Sequence, residues 1–329
     1  MNVLVIGAAG MVGRKFVERV ARDGGRIGDK TVRHMTLFDV VEPKAPDDAP
    51  FDVTTLAGDF GEKGTSEKLI EDRPELIVHL AAIVSGEAEA DFDKGYRVNL
   101  DSTRELFEAI RHAGEDYVPR LVFTSSIAVF GQPFPTDGIY DDYNLTPLTS
   151  YGTQKAIGEL LLADYSRRGF LDGVGIRLPT ICVRPGLPNK AASGFFSGII
   201  REPLNGQEAI LPVAETVRHW HASPRSAVGF LLQAATMDSA PLGQRRTLSM
   251  PGLSVTVGEQ IEALRRIAGD KVVSRIKREP DPVIQGIVSG WAERCVPARA
   301  EEFGFRAETS FDEIIQVYID DELGGKVPG

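Results

Sequence analysis

Short runs of branched apolar residues alternate with stretches of helical periodicity along the first half of the chain. Val3-Leu4-Val5-Ile6 is too short for a helix, is rich in β-branched residues and is closed by Gly7. That is the pattern of a strand buried on both faces. Met11 to Ala21 then sets Val12, Phe16, Val17 and Val20 on one helical face. Met35 to Phe38 (ending at Asp39), Leu76 to Leu80, Leu121 to Thr124 and Val174 to Leu178 read as further strands. Between them Leu100, Thr103, Leu106, Phe107 and Ile110 follow helical spacing, as do Ile157, Leu160, Leu161 and Tyr165. Such alternation predicts an α/β fold, a doubly wound parallel sheet covered on both faces.

The segment Glu42 to Asp52, rich in Pro and Asp, reads as an exposed loop. After about Pro179 the pattern changes to frequent Pro and Gly with shorter mixed elements. Residues 1–178 are therefore expected to form the sheet domain. Residues 179–329 are expected to form a smaller substrate-binding lobe, with the chain crossing back to the sheet. The 329 residues carry 37 basic and 47 acidic side chains, a net charge of −10, which argues against nucleic acid or an anionic membrane as partner. Only Cys182 and Cys295 are present, too few for a disulfide framework or a four-ligand zinc site. No apolar run reaches the roughly 18 residues of a membrane span. With no basic leader before the first strand, the chain reads as cytoplasmic.

Gly7-Ala8-Ala9-Gly10-Met11-Val12-Gly13 places three glycines at G-x-x-G-x-x-G spacing between a strand and a helix. Glycines there permit a tight turn, a close backbone approach to a pyrophosphate, and packing of the helix on the sheet. Gly7, Gly10, Met11 and Gly13 are thus candidate contacts to a dinucleotide, and the fold is expected to be of the Rossmann type. Asp39 ends the next strand, where a carboxylate can accept both adenosine ribose hydroxyls and repel a 2′-phosphate, which favours NAD over NADP. Its separation from the glycines exceeds the usual interval of about 20 residues, which an extra turn over Asp23 to Val32 accounts for. Tyr151-Gly152-Thr153-Gln154-Lys155 has the form Y-x-x-x-K, so on a helix both side chains share a face one turn apart. An ammonium beside a phenol favours the phenolate below its ordinary pKa of about 10 and makes Tyr151 a general base for an alcohol. Ser126, just after a strand, can hydrogen-bond the reacting oxygen.

Together these residues resemble the extended short-chain dehydrogenase/reductase family. The resemblance runs through Gly7–Gly13, Asp39, Gly58-Asp59, His79-Leu80-Ala81-Ala82, Asn99, Thr124-Ser125-Ser126, Tyr151/Lys155 and Arg177-Leu178-Pro179. It implies that Asp59 contacts the adenine, that Ala81 and Ala82 line the cofactor, and that Asn99 steadies the active-site helix. It further implies that Ser126 is the catalytic hydroxyl, that Lys155 also holds the nicotinamide ribose, and that Pro179 begins the loop over the nicotinamide. A homodimer through helices near residues 101–114 and 151–168 is implied as well. Two stretches depart from the sugar-nucleotide members of the family. Arg218-His219-Trp220-His221-Ala222-Ser223-Pro224-Arg225 carries no acidic residue, and the loop Arg184 to Gly194 lacks the usual pattern after its proline. Both point to a smaller, anionic substrate: a sugar acid oxidised at its C2 hydroxyl with NAD, gripped by Arg184 or Arg218. A nucleotide-sugar epimerase or dehydratase, and a non-catalytic NAD-sensing protein, are the alternative readings.

Other residues carry weaker chemistry. His219 and His221 share a strand face but lack a third ligand nearby, so no metal is expected. His79 reads as a core histidine and Trp220 as a pocket wall or core side chain. Cys182 has no apparent histidine partner and is not expected to be a nucleophile.

Overall fold

The computed structural model describes residues 1–186 and 192–327. Because the apolar runs have no polar alternation, their strands need cover on both faces, which helices packed on the sheet supply. β1 (Asn2–Ile6), β2 (His34–Asp39), β3 (Asp52–Ala57), β4 (Leu76–His79), β5 (Arg120–Ser126), β6 (Asp172–Leu178) and β7 (Thr247–Ser249) join in the order β7-β6-β5-β4-β1-β2-β3. Every neighbouring pair is parallel. Helices α1 (Met11–Arg22), α2 (Ser102–His112) and α3 (Ser150–Arg167) are among its cover. Leu4, Ile6, Ile77, Phe107, Leu121 and Phe123 lie in the core. The chain leaves β1 for β2 and β3, then returns to the other side of β1 as β4. In such sheets ligands bind where the order reverses, outside the carboxyl ends of the strands.

Two strands escaped the sequence reading. β3 is a mostly exposed edge strand with little apolar content to mark it. β7 is only Thr247–Ser249, attached to β6 by pairing of Leu248 with Ile176. The extra turn before Asp39 is a small hairpin, Arg26–Ile27 against Lys30–Thr31.

Two compact units divide the chain. The first comprises Met1–Val129, Pro147–Leu178 and Val228–Ser249; the second comprises Phe130–Thr146, Pro179–Ala227 and Met250–Gly329. Two segments thus fall on the other side of a single break at residue 178. Residues 228–249 return because their strand extends the parallel sheet, and residues 130–146 leave because Ile139–Tyr140 pairs with Cys295–Val296. The second unit holds a three-stranded sheet of Thr180–Ile181, Arg218–Ala222 and Leu253–Thr256. Helices Gly194–Leu204, Val257–Ala268 and Phe311–Glu322 bury Phe196, Ile199, Ile261, Leu264, Ile314 and Ile315 in its core.

Candidate active site

Gly7 leaves β1 at φ +93°, and a Cβ there would stand 2.6 Å from the Ala81 nitrogen just beyond β4. Only glycine fits that turn. The Phe38 carbonyl oxygen holds it, accepting the Gly7 N–H at 2.8 Å and the Ala8 N–H at 3.1 Å. At Gly13, a Cβ would collide with the Gly7 carbonyl, so α1 packs directly over the strand end. The N-cap of α1 is Gly10, with no side-chain cap, and Met11 is the first helical residue. First-turn N–H groups in that state are suited to an anion.

Asp39 is already oriented. Its Oδ2 accepts the Ala9 N–H at 2.9 Å and its Oδ1 accepts the Val40 N–H at 2.7 Å. Each carboxylate oxygen keeps a further lone pair for a ribose hydroxyl. A glycine cradle that any Cβ would fill, followed by a pinned carboxylate, fits a dinucleotide. Near Asp39, beyond β3, Asp59 takes the Gly61 N–H at 2.8 Å and the Arg97 guanidinium at 2.9 Å. Burial pushes its carboxyl upward, but the Gly61 N–H and Arg97 outweigh that and leave it below the ordinary value.

Ser126 is the last residue of β5, and its Oγ accepts the Ala128 N–H at 3.1 Å, leaving its own proton to donate. Thr149 caps α3 by accepting the Gly152 N–H at 3.1 Å, so Tyr151 and Lys155 stand in the first turns of a fixed helix. The Lys155 Nζ lies 5.8 Å from the centre of the Tyr151 ring and donates to the Thr124 carbonyl at 2.9 Å. Lys155 is 2% exposed. Burial brings its ammonium down to about 8, against which the charge of Glu159 works in the other direction. Ser126 thus ends β5, and the Lys155 ammonium reaches the same strand two residues earlier, at Thr124.

Asn99 lies in a π-helical turn, Arg97–Asp101, just before α2. Its amide accepts the Ile83 N–H at 2.7 Å, donates to the Ile83 carbonyl at 3.0 Å, and donates to Gln154 Oε1 at 2.7 Å. It thereby ties the segment containing Ala81 and Ala82 to the helix of Tyr151 and Lys155. Turns of this kind are often kept where a helix must aim a side chain.

The model of the NAD dependent epimerase/dehydratase family matches residues 3–226. The chain belongs to that family. It is 47% identical to the D-erythronate dehydrogenase of Cupriavidus necator over 324 residues, 98% of each chain. It is 40% identical to that of Haemophilus influenzae, over 98% of this chain and 100% of the other. A solved structure from Agrobacterium tumefaciens, described as a nucleoside-diphosphate-sugar epimerase, is 63% identical. It superposes with a TM-score of 0.97, covering 100% of this chain and 96% of that one. This epimerase/dehydratase family member is an NAD-dependent oxidoreductase of Rossmann type.

In the family member, Pro179 opens the segment Pro179–Ala227 of the second unit and is buried. Arg184 donates to the Ser193 Oγ at 3.2 Å and to the Ile181 carbonyl at 3.3 Å. Arg218 donates to the Ser254 carbonyl at 2.8 Å and pairs with Glu259 at 3.3 Å. Leu187 to Ala191 of the loop singled out above lie outside the described residues. His219 meets Thr180 Oγ1 at 2.7 Å and stacks on Phe196, while His221 meets Gln260 at 2.9 Å. Among the described residues no three His, Cys, Asp or Glu side chains gather as for a metal. Trp220 is a core residue whose indole N–H reaches the Met250 carbonyl. Cys182 is buried, and burial pushes its thiol up to about 12, far from a nucleophilic thiolate. His79 packs between Phe60 and Phe123 and meets Thr103 at 3.0 Å, a core histidine.

Sequence reasoning did not single out Arg97, Ser125, Gln154 or Glu159. Glu159 had a signal of its own. It stands at the spacing that places it on the face of Tyr151 and Lys155, where an unpartnered carboxylate would be costly. Arg97 had none, because its partner Asp59 is remote in sequence.

Proposed function

We propose that this chain oxidises the C2 hydroxyl of D-erythronate to the 2-oxo acid with NAD. Its near full-length identity of 47% and 40% to two D-erythronate dehydrogenases carries the reading. In this scheme Tyr151 takes the hydroxyl proton as general base, and Ser126 donates a hydrogen bond to the same oxygen. Bound NAD supplies the acceptor for the C2 hydrogen and its electron pair, so a carbonyl forms at C2. Lys155 favours the phenolate of Tyr151 and holds the nicotinamide ribose. Gly7, Gly10, Met11 and Gly13 cradle the pyrophosphate, Asp39 the adenosine ribose and Asp59 the adenine, with Ala81, Ala82, Asn99 and Pro179 completing the cofactor contacts.

The second unit acts as the substrate lobe, and a guanidinium there binds the carboxylate through paired hydrogen bonds. Arg184 and Arg218 are the two candidates, each already tied to groups of its own unit. The protein works as a cytoplasmic homodimer through α2 and α3. Leu160 on α3, 65% exposed in the single chain, fits such a contact. No helix among the described residues is long and apolar enough to cross a membrane.

The epimerase description of the Agrobacterium tumefaciens structure favours a second reading, in which the hydride returns to a nucleotide sugar. One absorbance assay separates them. Purified protein with NAD and D-erythronate should accumulate NADH, and with nucleotide sugars it should not. Conversion of a nucleotide sugar without net NADH, and silence with sugar acids, would establish the second reading instead.

A further inference from the structure

Glu159 lies one turn beyond Lys155 on α3 and is 4% exposed. Its carboxylate accepts the Ser125 hydroxyl at 2.5 Å and the Arg177 guanidinium at 2.7 to 3.2 Å on both oxygens. Arg177 in turn reaches the Ser249 Oγ at 3.3 Å. Ser125, Arg177 and Ser249 are register partners on β5, β6 and β7, so the row runs straight across three strands beneath α3. Ser125 sits between Thr124, whose carbonyl takes the Lys155 ammonium, and Ser126. A buried ion pair is weak evidence of stability, since apolar residues of the same shape often serve as well. This one lies directly under the residues assigned to chemistry.

We propose that Glu159 is a positioning residue, which ties the helix of Tyr151 and Lys155 to the strand of Ser126 and keeps the buried Lys155 an ammonium. The inference rests on the assignment of Tyr151 and Lys155 given above. Lys155 is buried and its ammonium donates to a neutral carbonyl, so a carboxylate one turn away is what favours its charged form. The other titratable groups facing it are few. Tyr151 shares its helix, and Arg177 on β6 is committed to Glu159. His79 on β4 stays neutral at working pH, held near 3 by burial and by Lys155 itself. On the helical segments packed against α3, Glu87 pairs with Lys94, Arg97 with Asp59, and Glu108 with Arg111. Glu89 takes the Ser150 N–H at the start of α3.

The test reads cofactor binding first and turnover second. NAD affinity is measured by calorimetry across pH in the wild type, Glu159→Gln, Glu159→Asp and the double variant Glu159→Gln/Arg177→Met. In the wild type affinity should fall as Lys155 loses its proton, with a midpoint near 8. Glu159→Gln should lower that midpoint by about one pH unit, and the alkaline limb of kcat should move with it. Glu159→Asp, which keeps the charge, should return the midpoint toward that of the wild type. The double variant removes both buried charges, so it should regain thermal stability while its midpoint stays low. An unchanged midpoint in Glu159→Gln, or a wild-type midpoint in the double variant, would make the pair purely structural and overturn the proposal. If Glu159→Gln fails to fold, the double variant alone decides. Tyr151→Phe, assayed for turnover in parallel, reports separately on the general base.

Discussion

The two units solve the burial of polar groups differently. In the first, the buried polar side chains converge on the carboxyl ends of the strands: Lys155 on a β5 carbonyl, Glu159 on Arg177 and Ser125, Asn99 on Ile83 and Gln154. In the second, His219 and His221 are buried and packed among Phe196, Trp291 and Phe311. The first arrangement fixes geometry with charge-assisted bonds; the second is chiefly packing. Charge-assisted polar bonding therefore gathers at the first unit's strand ends.

The largest effect that could break this contrast is loss of the base. Tyr151→Phe should lower kcat for D-erythronate by about a thousandfold, within the usual range for a positioned proton acceptor. NAD affinity should stay within about threefold, because the phenol is not part of the cradle. A variant that keeps a tenth of wild-type turnover would remove chemistry from the first unit's strand ends.

Next in size is the clamp, which asks whether the second unit supplies charge as well as shape. Arg184→Ala should cost about 2–4 kcal/mol in kcat/KM for D-erythronate, the range for a desolvated charge pair. Arg218→Ala is the parallel test of the other candidate, and the clamp is whichever of the two shows that loss. Erythritol, which lacks the carboxylate, should be a poor substrate and insensitive to either change. Wild-type protein that oxidises neutral polyols as readily as sugar acids would show that no cation selects the substrate.

How far these units could be read in the sequence follows the same line. The strands of the parallel sheet announce themselves as apolar runs, and Gly7 to Gly13 and Tyr151 with Lys155 are local patterns whose chemistry depends on spacing within one element. β3 was not legible because it is an exposed edge, and β7 because three residues acquire strand geometry only by pairing with β6. Arg97 with Asp59, and Arg177 with Glu159, are joined by tertiary packing, which spacing does not report. The second unit was least legible. It is assembled from separated segments, and its sheet joins Thr180–Ile181 to strands from 218 and 253 onward.

The buried histidines give a test that distinguishes the units by stability. Burial lowers His219 to about 4 and lowers His221 well below the usual value, with the neighbouring His219 adding to it. Both are neutral in folded and unfolded chains above pH 6.5, so stability is complete there. As pH falls below 6.5 the unfolded chain takes up protons that the folded one refuses, and stability is lost progressively toward pH 4. His219 alone should account for about 3 kcal/mol by pH 4. Trp220 and Trp291, the only tryptophans of the chain, both lie in the second unit, so their fluorescence follows its unfolding. Urea midpoints from that signal should fall between pH 7 and pH 4.5, and fall less in His219→Gln. An equal fall in the variant would show that His219 is not a source of acid sensitivity.

The smallest expected effect concerns the first unit's own selectivity. Asp39 is held by two backbone N–H groups, from Ala9 and Val40, so its charge cannot swing away from an incoming 2′-phosphate. Wild-type protein should therefore prefer NAD, and Asp39→Ala should narrow the NAD/NADP ratio of kcat/KM by about tenfold, or about 1.4 kcal/mol. Part of that change is loss of hydrogen bonds to the ribose rather than relief of repulsion. Asp39→Asn divides the two, since its amide keeps one acceptor oxygen and removes the charge. If repulsion dominates, Asn should gain NADP activity nearly as well as Ala while keeping more of its NAD activity. If Asn retains the full wild-type preference, the carboxylate's charge does not set cofactor choice. Equal use of NAD and NADP by the wild type would show that Asp39 exerts no selection at all, and its two backbone hydrogen bonds would then serve only to tie the end of β2 to the loop between β1 and α1.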